Sequence, residues 1–355
     1  MSKKYRINLV PGDGIGKEVI PEGVKVLDAL AAQHGFGLDY QEFPYSCEYR
    51  SKHGRMMPED GIDRLSQCDA IYLGAVGYPG VPDHVSLWEL LIPIRRDFQQ
   101  YVSVRPVRLL PGIRSPLANR TAKDINFIVV RENNEGEYSE IGGRIYSGTE
   151  MESANQLSVF SRHGVDRVLR YAFEMARTRP RRKLTSATKS NGIVHTLPFW
   201  DERFAIMKNE YPDIKTDQFH IDILCAQFVQ HPDWFDVVVG SNLFGDILSD
   251  LGPAVAGSIG IAPSSNLNPE RKFPSMFEPV HGSAPDIEGK GLANPIAAFW
   301  SGVLMLEHLG EGEAGERLMR AIEQVTGAGK TLTPDLGGTA STGEVTGAVI
   351  AALGT

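Results

Sequence analysis

Short β-branched and apolar runs alternate along this chain with longer segments whose apolar residues recur at helical spacing. Strands joined by helices in this way usually pair in parallel, so the alternation predicts an α/β fold with a largely parallel sheet. We expect strands at residues 5–10, 70–73, 125–130, 184–188 and 237–240, and helices at 17–33, 162–177 and 297–309. The apolar side of the first helix comprises Val19, Ile20, Val24, Leu27, Leu30 and Ala31.

Length and charge limit the function classes. A chain of 355 residues suggests two domains. Its formal net charge of −8 disfavours nucleic acid as a partner. The basic segment RTRPRRK at 177–183 contains no aromatic residue that could stack on a base, so it is interpreted as a solvated link between a helix and a strand.

Cysteine usage and hydropathy indicate a reducing compartment. Cys47, Cys68 and Cys225 are odd in number and contain no CxxC pair, which argues against a disulfide framework and a structural zinc site. No stretch approaches the roughly 20 apolar residues of a membrane span, and the first apolar run is too short for a signal peptide. We therefore expect a cytoplasmic protein without membrane contact.

A glycine-rich segment, PGDGIG at 11–16, lies between the first predicted strand and helix. Glycines there allow close backbone approach, and a helix N-terminus favours anions. However, the spacing G-x-G-x-G differs by one residue from the dinucleotide-binding pattern G-x-G-x-x-G. The segment is either a ligand loop or a tight turn.

Two aspartates follow the strand predicted at 237–240. Asp246 and Asp250 are four residues apart, so on a helix they share one face and repel each other. The ends of parallel strands are where α/β sheets bind ligands, and hard divalent cations prefer carboxylate oxygens. The pair is a candidate metal site, with two solvated surface acids as the alternative.

Three arginines stand beside apolar runs: Arg95, Arg105 and Arg131. The planar guanidinium suits bidentate carboxylate recognition, although each arginine taken singly could form a structural ion pair. Together they favour a small polyanionic substrate.

In combination these segments resemble the β-decarboxylating dehydrogenases, the family of isocitrate, isopropylmalate and tartrate/D-malate dehydrogenases. The match runs nearly end to end, through PGDGIG at 11–16, RENNEGEY at 131–138, KSN at 189–191, NLFGDILSD at 242–250, HGSAPDI at 281–287 and DLGG at 335–338.

The resemblance implies an isopropylmalate/isocitrate dehydrogenase-like two-domain α/β fold with a central sheet, distinct from a true Rossmann fold. A large NAD-binding domain would comprise residues 1–104 and 257–355, and a central domain with the dimer interface residues 105–256. It also implies a homodimer whose active sites take a lysine and one aspartate from the neighbouring subunit.

The resemblance also assigns the site residues. Arg95, Arg105 and Arg131 would bind the substrate carboxylates, while Asp222, Asp246 and Asp250 would bind Mg²⁺ or Mn²⁺. Lys189 would take the proton of the substrate hydroxyl, and Tyr138 would protonate C3 after CO₂ is lost. Because none of these residues is missing, the chain departs from the non-catalytic regulatory subunits of the wider family.

The cofactor expected from the resemblance is NAD. Asp286 stands where NADP-dependent isocitrate dehydrogenases carry lysine, and a carboxylate can accept hydrogen bonds from ribose hydroxyls while repelling a 2′-phosphate. K⁺ is a further candidate ion, because the family often uses it. The other expected cofactor contacts are Asn191, His281, Gly282, Ser283, Ala284 and Asn294.

The segment before Arg95 bears on the substrate. Glu89 and Leu91 occupy positions where isocitrate enzymes carry serine and asparagine, and an acid there would repel a γ-carboxylate. Trp88 and Arg96 replace the glutamate and lysine of isopropylmalate enzymes. The segment looks most like the branch that oxidises a small (2R)-hydroxy diacid, tartrate or D-malate, with isopropylmalate oxidation as the alternative. Trp88 is either a core residue or a bulky pocket wall that favours a small C3 substituent.

Overall fold

A computed structural model describes residues 3–354 and confirms the α/β architecture. The strands are β1 (Lys4–Gly12), β2 (Gly37–Glu42), β3 (Ala70–Ala75), β4 (Val102–Arg108), β5 (Asn126–Glu132), β6 (Gly142–Ile145), β7 (Ser153–Gln156), β8 (Lys183–Thr188), β9 (Lys215–His220), β10 (Val237–Gly240), β11 (Pro263–Leu267) and β12 (Ser275–Pro279). The α-helices are α1 (Gly16–His34), α2 (Cys47–His53), α3 (Gly61–Leu65), α4 (Asp83–Ser86), α5 (Ile92–Asp97), α6 (Arg162–Thr178), α7 (Thr196–Lys208), α8 (Ile221–Gln230), α9 (Asn242–Val255), α10 (Ile296–Leu309), α11 (Gly312–Ala328) and α12 (Thr342–Leu353).

One ten-stranded sheet runs through the described residues in the order β2-β1-β3-β12-β11-β4-β5-β10-β8-β9. Both flanks are parallel, from β2 to β12 on one side and from β5 to β9 on the other. The middle of the sheet is antiparallel, because β11 pairs antiparallel with both β12 and β4, and β4 with β5. The largely parallel sheet is therefore confirmed, with antiparallel strands joining its two halves.

Buried apolar side chains form separate clusters on the two halves of the sheet. One includes Leu27, Phe299 and Ile322 from helices α1, α10 and α11, together with residues of β1 and β3. Another includes Phe127 of β5 and Phe173 of α6, with residues of β8 and β10. Each half thus has its own apolar core beside the shared sheet.

The helical periodicity at the start of the chain is confirmed. Helix α1 ends at His34 and is capped by Gly35, whose φ of 74° is left-handed and whose N–H donates to the carbonyl of Ala31. The predicted apolar side is buried except for Val24, which is half-buried, while Val26 is buried in addition.

The basic segment lies, as expected, between α6 and β8. Its arginines are tied to the protein: Arg179 Nε donates to Asp236 at 2.8 Å, and Arg181 donates to the Phe235 carbonyl at 3.0 Å. These contacts make the segment a structural link rather than the freely solvated one expected. Across residues 3–354, no helix has the length and hydropathy needed to cross a membrane.

Candidate active site

Two buried arginines project from neighbouring antiparallel strands onto one carboxylate. Arg131 on β5 is in register with Ser103 on β4, so Arg105, two residues along β4, lies on the same face of the sheet. Arg131 forms a close ion pair with Asp246, and Arg105 Nη1 lies 3.3 Å from its Oδ1. Gly245 permits this approach, because a Cβ there would lie 2.5 Å from the Cβ of Arg131.

The acidic pair of α9 occupies one helical face, as its spacing predicts. Burial alone would raise the pKa of Asp246, but Arg131 and Arg105 outweigh it and hold that pKa below its usual range. The side chain of Asp250 is 60% exposed, and its partial burial together with Asp246 raises its pKa. The helix therefore offers one carboxylate engaged by arginines and another turned towards solvent.

Tyr138 reaches the same carboxylate from a loop. Its hydroxyl donates to Asp246 Oδ2 at 2.9 Å, and the guanidinium of Arg131 lies 5.5 Å from its ring centroid. The preceding Glu137 accepts the N–H of Leu243 at 3.0 Å, so this carboxylate ties the loop to the N-terminal end of α9. Burial and Asp246 raise the pKa of Tyr138, which favours the protonated phenol.

Arg95 is held by a carboxylate from another strand. Its Nη2 lies 3.0 Å from Glu278 Oε1 on β12, and Asn266 Nδ2 donates to the same oxygen at 2.7 Å. The Nε atoms of Arg95 and Arg105 are buried and have no hydrogen-bond partner among residues 3–354. Buried guanidinium groups rarely leave a donor unsatisfied, so both arginines suit an anionic ligand.

The cavity beside these arginines brings several expected residues together. It adjoins a π-helical turn, Leu87–Leu91, and such turns are frequent at functional sites. The cavity is lined by Leu87, Ile92, Arg95, Arg96, Arg131, Asn133, Asn134, Tyr138 and Asn242. Arg105 and Asp246 join it through the contacts of Asp246 with Arg131 and Tyr138.

Lys189 and Asp222 do not line this cavity. They follow the paired ends of β8 and β9, and Lys189 Nζ lies 2.8 Å from Asp222 Oδ1. Hydrogen bonding to Lys189 lowers the pKa of Asp222. In the part of the chain that the structure describes, no three His, Cys, Asp or Glu side chains form a metal-binding group. One chain therefore does not bring Asp222 to the α9 pair.

The expected cofactor loop packs against the glycine-rich segment. The N–H of Ile15 donates to the carbonyl of Ser283 at 2.8 Å, and a Cβ at Gly14, where φ is 54°, would lie 2.0 Å from that oxygen. Buried Asp13 accepts N–H groups from Cys47 and Gly77 at 3.0 and 3.1 Å. The segment at 11–16 is thus a packed turn that supports the loop at 281–285.

The candidate cofactor residues differ in their surroundings. Burial lowers the pKa of His281, and its Nε2 is buried with no partner among residues 3–354. Asn294 donates to Asp335 Oδ2 at 3.0 Å and accepts the N–H of Ile296, so its side chain already fixes the start of α10. The remaining candidates are exposed Gly282, Asp286 and Asn191, half-buried Ala284 and buried Ser283.

Trp88 and Glu89, in the segment before Arg95, each contact an arginine. Trp88 is half-buried, belongs to no buried apolar cluster among residues 3–354, and does not line the cavity. The guanidinium of Arg96 lies over its ring, 5.1 Å from the centroid. Glu89 forms a two-point ion pair with Arg50, at 3.0 and 3.3 Å. Because Arg50 balances its charge, Glu89 does not present the unpaired carboxylate that the argument against isocitrate assumed.

Sequence reasoning missed the side chains that hold the arginines. Asn242 Oδ1 accepts from Arg131 Nε and Nη2 at 3.0 and 2.7 Å, and Ser249 Oγ accepts from Arg105 at 2.6 Å. Both belong to the motif at 242–250, so the same helical spacing that paired its aspartates could have found them. Glu278 had no local signal, because its partner Arg95 is 183 residues away.

Comparison with known proteins identifies the family of this chain. The model of the family "Isocitrate/isopropylmalate dehydrogenase" matches residues 6–349. The chain belongs to that family, which confirms the resemblance carried by its motifs. An isocitrate dehydrogenase structure from Methylococcus capsulatus aligns with a TM-score of 0.90 and 33% identity, over 99% of this chain and 100% of that chain.

Curated relatives are more similar still. The chain is 59% identical to "D-malate dehydrogenase [decarboxylating]" of Escherichia coli (strain K12), over 98% of both proteins. It is 58% identical to "Tartrate dehydrogenase/decarboxylase" of Pseudomonas putida, over 97% of this chain and 96% of that protein. These relatives belong to the branch that the segment before Arg95 indicated.

Proposed function

We propose that this protein is an NAD- and metal-dependent dehydrogenase that oxidises a small (2R)-hydroxy diacid, D-malate or tartrate. With D-malate the reaction includes loss of the β-carboxylate and yields pyruvate and CO₂. The observation that carries the proposal is 59% and 58% identity, over nearly the whole chain, to relatives named for D-malate and tartrate.

The arginines supply the means of binding a dicarboxylate. Arg95 and Arg131 line one cavity, and Arg105 reaches it through Asp246. Arg105 and Arg131 share Asp246 and Arg95 pairs with Glu278, so a diacid would bind to the guanidinium donors that these carboxylates leave unused. The unpartnered Nε atoms of Arg95 and Arg105 are donors available to it.

The donor set suits a divalent metal ion. Asp246 and Asp250 offer hard oxygen ligands on one helical face, and the side chain of Asp222 is 67% exposed, with Lys189 as its partner. Asp222 would join the pair from a second subunit. When bound, Mg²⁺ or Mn²⁺ would polarise the oxygen at C2, and NAD would accept the hydride.

Two side chains of the protein would handle protons. Lys189 would take the proton of the C2 hydroxyl, which is the role that the family resemblance assigns to it. Tyr138 would donate its phenolic proton to C3 after the carboxylate leaves. Asp246 accepts a hydrogen bond from that hydroxyl at 2.9 Å, and Tyr138 lines the cavity beside Arg95 and Arg131.

A homodimer is part of the proposal. Helices α8 and α9 pack together and expose Ile223, Leu243 and Ile247, which are 45%, 37% and 44% exposed. The β6–β7 hairpin exposes further apolar side chains at its ends, including Ile145 and Met151. Exposed apolar side chains on these elements favour contact with another protein chain, and α9 carries the candidate metal ligands.

The NAD-binding part would use the loop at 281–286. His281 Nε2 is a buried ring atom without a partner among residues 3–354, so it is free to bind a ligand. Exposed Asp286 can accept hydrogen bonds from the adenosine ribose. The other proposed contacts are Asn191, Gly282, Ser283, Ala284 and Asn294.

The two main apolar clusters support the proposed division into domains. The cluster that contains Leu27 and Phe299 supports a large domain of residues 1–104 and 257–355, and the cluster that contains Phe127 supports a central domain of 105–256. Cys47, Cys68 and Cys225 are free, which supports a reducing, cytoplasmic location.

The test is NADH formation with Mn²⁺ and K⁺ on D-malate, L-tartrate, meso-tartrate, isopropylmalate and isocitrate. We expect kcat/KM to be highest for D-malate or a tartrate. A higher kcat/KM for isopropylmalate or isocitrate would overturn the substrate assignment, and no NADH with any of the five would overturn the proposed reaction.

A further inference from the structure

Arg96 joins the substrate segment to the loop that carries Tyr138. Its Nη2 donates to the carbonyl oxygen of Tyr138 at 2.8 Å, and its Nη1 lies 3.1 Å from Glu140 Oε2. Its guanidinium carbon Cζ lies over the indole of Trp88, 5.1 Å from the ring centroid. One planar group thus makes a cation–π contact, a hydrogen bond and an ion pair at once.

Tyr138 is held at its hydroxyl, at its ring and at its backbone carbonyl. Asp246 accepts a hydrogen bond from the hydroxyl, and Arg131 lies over the ring. Arg96 fixes the remaining end, the backbone carbonyl, from a helix 42 residues earlier in the chain. The position of the phenol in the cavity therefore depends on Arg96 as well as on its direct partners.

The contact between Arg96 and Trp88 requires an arginine on one side and an aromatic ring on the other. A guanidinium can stack on an indole and donate in its own plane at the same time, whereas an ammonium is a compact point charge. The side chain of Glu140 is 70% exposed, so that ion pair contributes little. Trp88 and the Tyr138 carbonyl set the orientation of Arg96.

We propose that Arg96 is a positioning residue for Tyr138, with Trp88 fixing the plane of its guanidinium. It acts through the Tyr138 backbone and leaves carboxylate binding to the other arginines. The inference rests on the proposed function, in which Tyr138 delivers a proton to C3. Displacement of the phenol should therefore slow the protonation step more than the oxidation step.

The kinetic test compares R96K and R96A with R50K. Arg50 is the matched control, because it also pairs within the substrate segment, with Glu89, but does not contact the Tyr138 loop. We expect R96K and R96A to lower pyruvate formation from oxaloacetate by about tenfold or more, since small displacements of a catalytic group are costly. The rate of D-malate oxidation should fall less. R50K should change neither of these two rates.

A double-mutant cycle separates positioning from general damage to the fold. In a Y138F background the phenolic proton is already absent, so R96K should add less than about a twofold loss. W88F retains an aromatic face and should retain more activity than W88A. Equal losses in both half-reactions, or R96K and Y138F losses that multiply, would overturn the inference.

A substrate-free measurement keeps the inference separate from the proposed function. With the tyrosine ring labelled at ¹³Cζ, the Tyr138 resonance is assigned by its loss in Y138F. We expect this resonance to shift or broaden in R96K and W88A, and to be unchanged in R50K. An unchanged resonance in R96K would overturn the positioning role, whatever substrate the enzyme proves to use.

Discussion

Lys189 and Asp222 lie 2.8 Å apart at the adjacent ends of β8 and β9, away from the cavity that holds Tyr138. If each serves the site of the partner subunit, a K189A chain and a D246N/D250N chain should complement each other. In a heterodimer one site combines all the intact groups and the other combines all the defects. Random pairing of the two inactive proteins should then restore about a quarter of wild-type activity.

Complementation is measured as NADH formation after dissociation and reassociation, with differently tagged chains to quantify the heterodimer. Each variant mixed with itself provides the background. Absence of recovery despite abundant heterodimers would mean that each subunit uses its own lysine.

A second prediction concerns the phenol that donates to Asp246. In Y138F the carboxylate keeps Arg131 and Arg105, so the fold should persist. Loss of a general acid typically costs about 10²–10⁴-fold in the step it serves. Pyruvate formation from oxaloacetate should fall by that order, and NADH formation from D-malate by less. A uniform loss in both assays would remove Tyr138 from the protonation step.

Neutralising Asp250 should abolish activity without unfolding the protein. D250N removes a hard oxygen ligand and also a like-charge neighbour of Asp246 on α9. Relief of that repulsion stabilises a helix by about 0.2–0.5 kcal/mol, so Tm should be equal or slightly higher. Excess EDTA should have the same effect on wild-type activity. D39N, on the exposed part of β2, is the control expected to remain active.

Asp286 should set the choice between NAD and NADP. Its exposed carboxylate would repel a 2′-phosphate, so D286K should lower kcat/KM for NAD and raise it for NADP. The ratio of the two is expected to shift by at least about tenfold, or 1.4 kcal/mol. D286N, which removes only the charge, should give a smaller shift. A ratio unaffected by either change would exclude Asp286 from cofactor discrimination.

Glu132 should make stability depend on pH. Burial raises its pKa to about 7, although the N–H groups of Asn134 and Glu135 donate to its carboxylate. An acid with a raised folded-state pKa contributes stability that is complete below its unfolded value of 4.5 and is lost as pH rises through about 7. The difference corresponds to about 3 kcal/mol at most.

The variant E132Q should flatten that pH dependence. Its free energy of unfolding, measured by urea titration at pH 5 and pH 8, should differ less between the two than in the wild type. E59Q, with a side chain 86% exposed, is the control. If E132Q and wild type lose equal stability between these pH values, Glu132 is already ionised in the folded protein.

The local elements were predictable from the chain because each depends on neighbours in sequence. Apolar spacing identified the buried side of α1, and the four-residue interval placed Asp246 and Asp250 on one face of α9. The ordered motifs identified the family, which comparison confirmed. The roles assigned to Lys189 and Tyr138 remain predictions.

Other features were decided only by the tertiary structure. The sequence left the segment that contains Asp13 open between a ligand loop and a tight turn, and in the structure Asp13 is buried and accepts N–H groups from two distant segments. Trp88 was open between core and pocket wall, and instead supports Arg96, which holds a loop 42 residues away. Sequence periodicity reports which side of an element is apolar, but partners from separate elements meet only when the sheet order and register bring them together. Those long-range contacts also decide which charges are balanced, as the pairing of Glu89 with Arg50 shows.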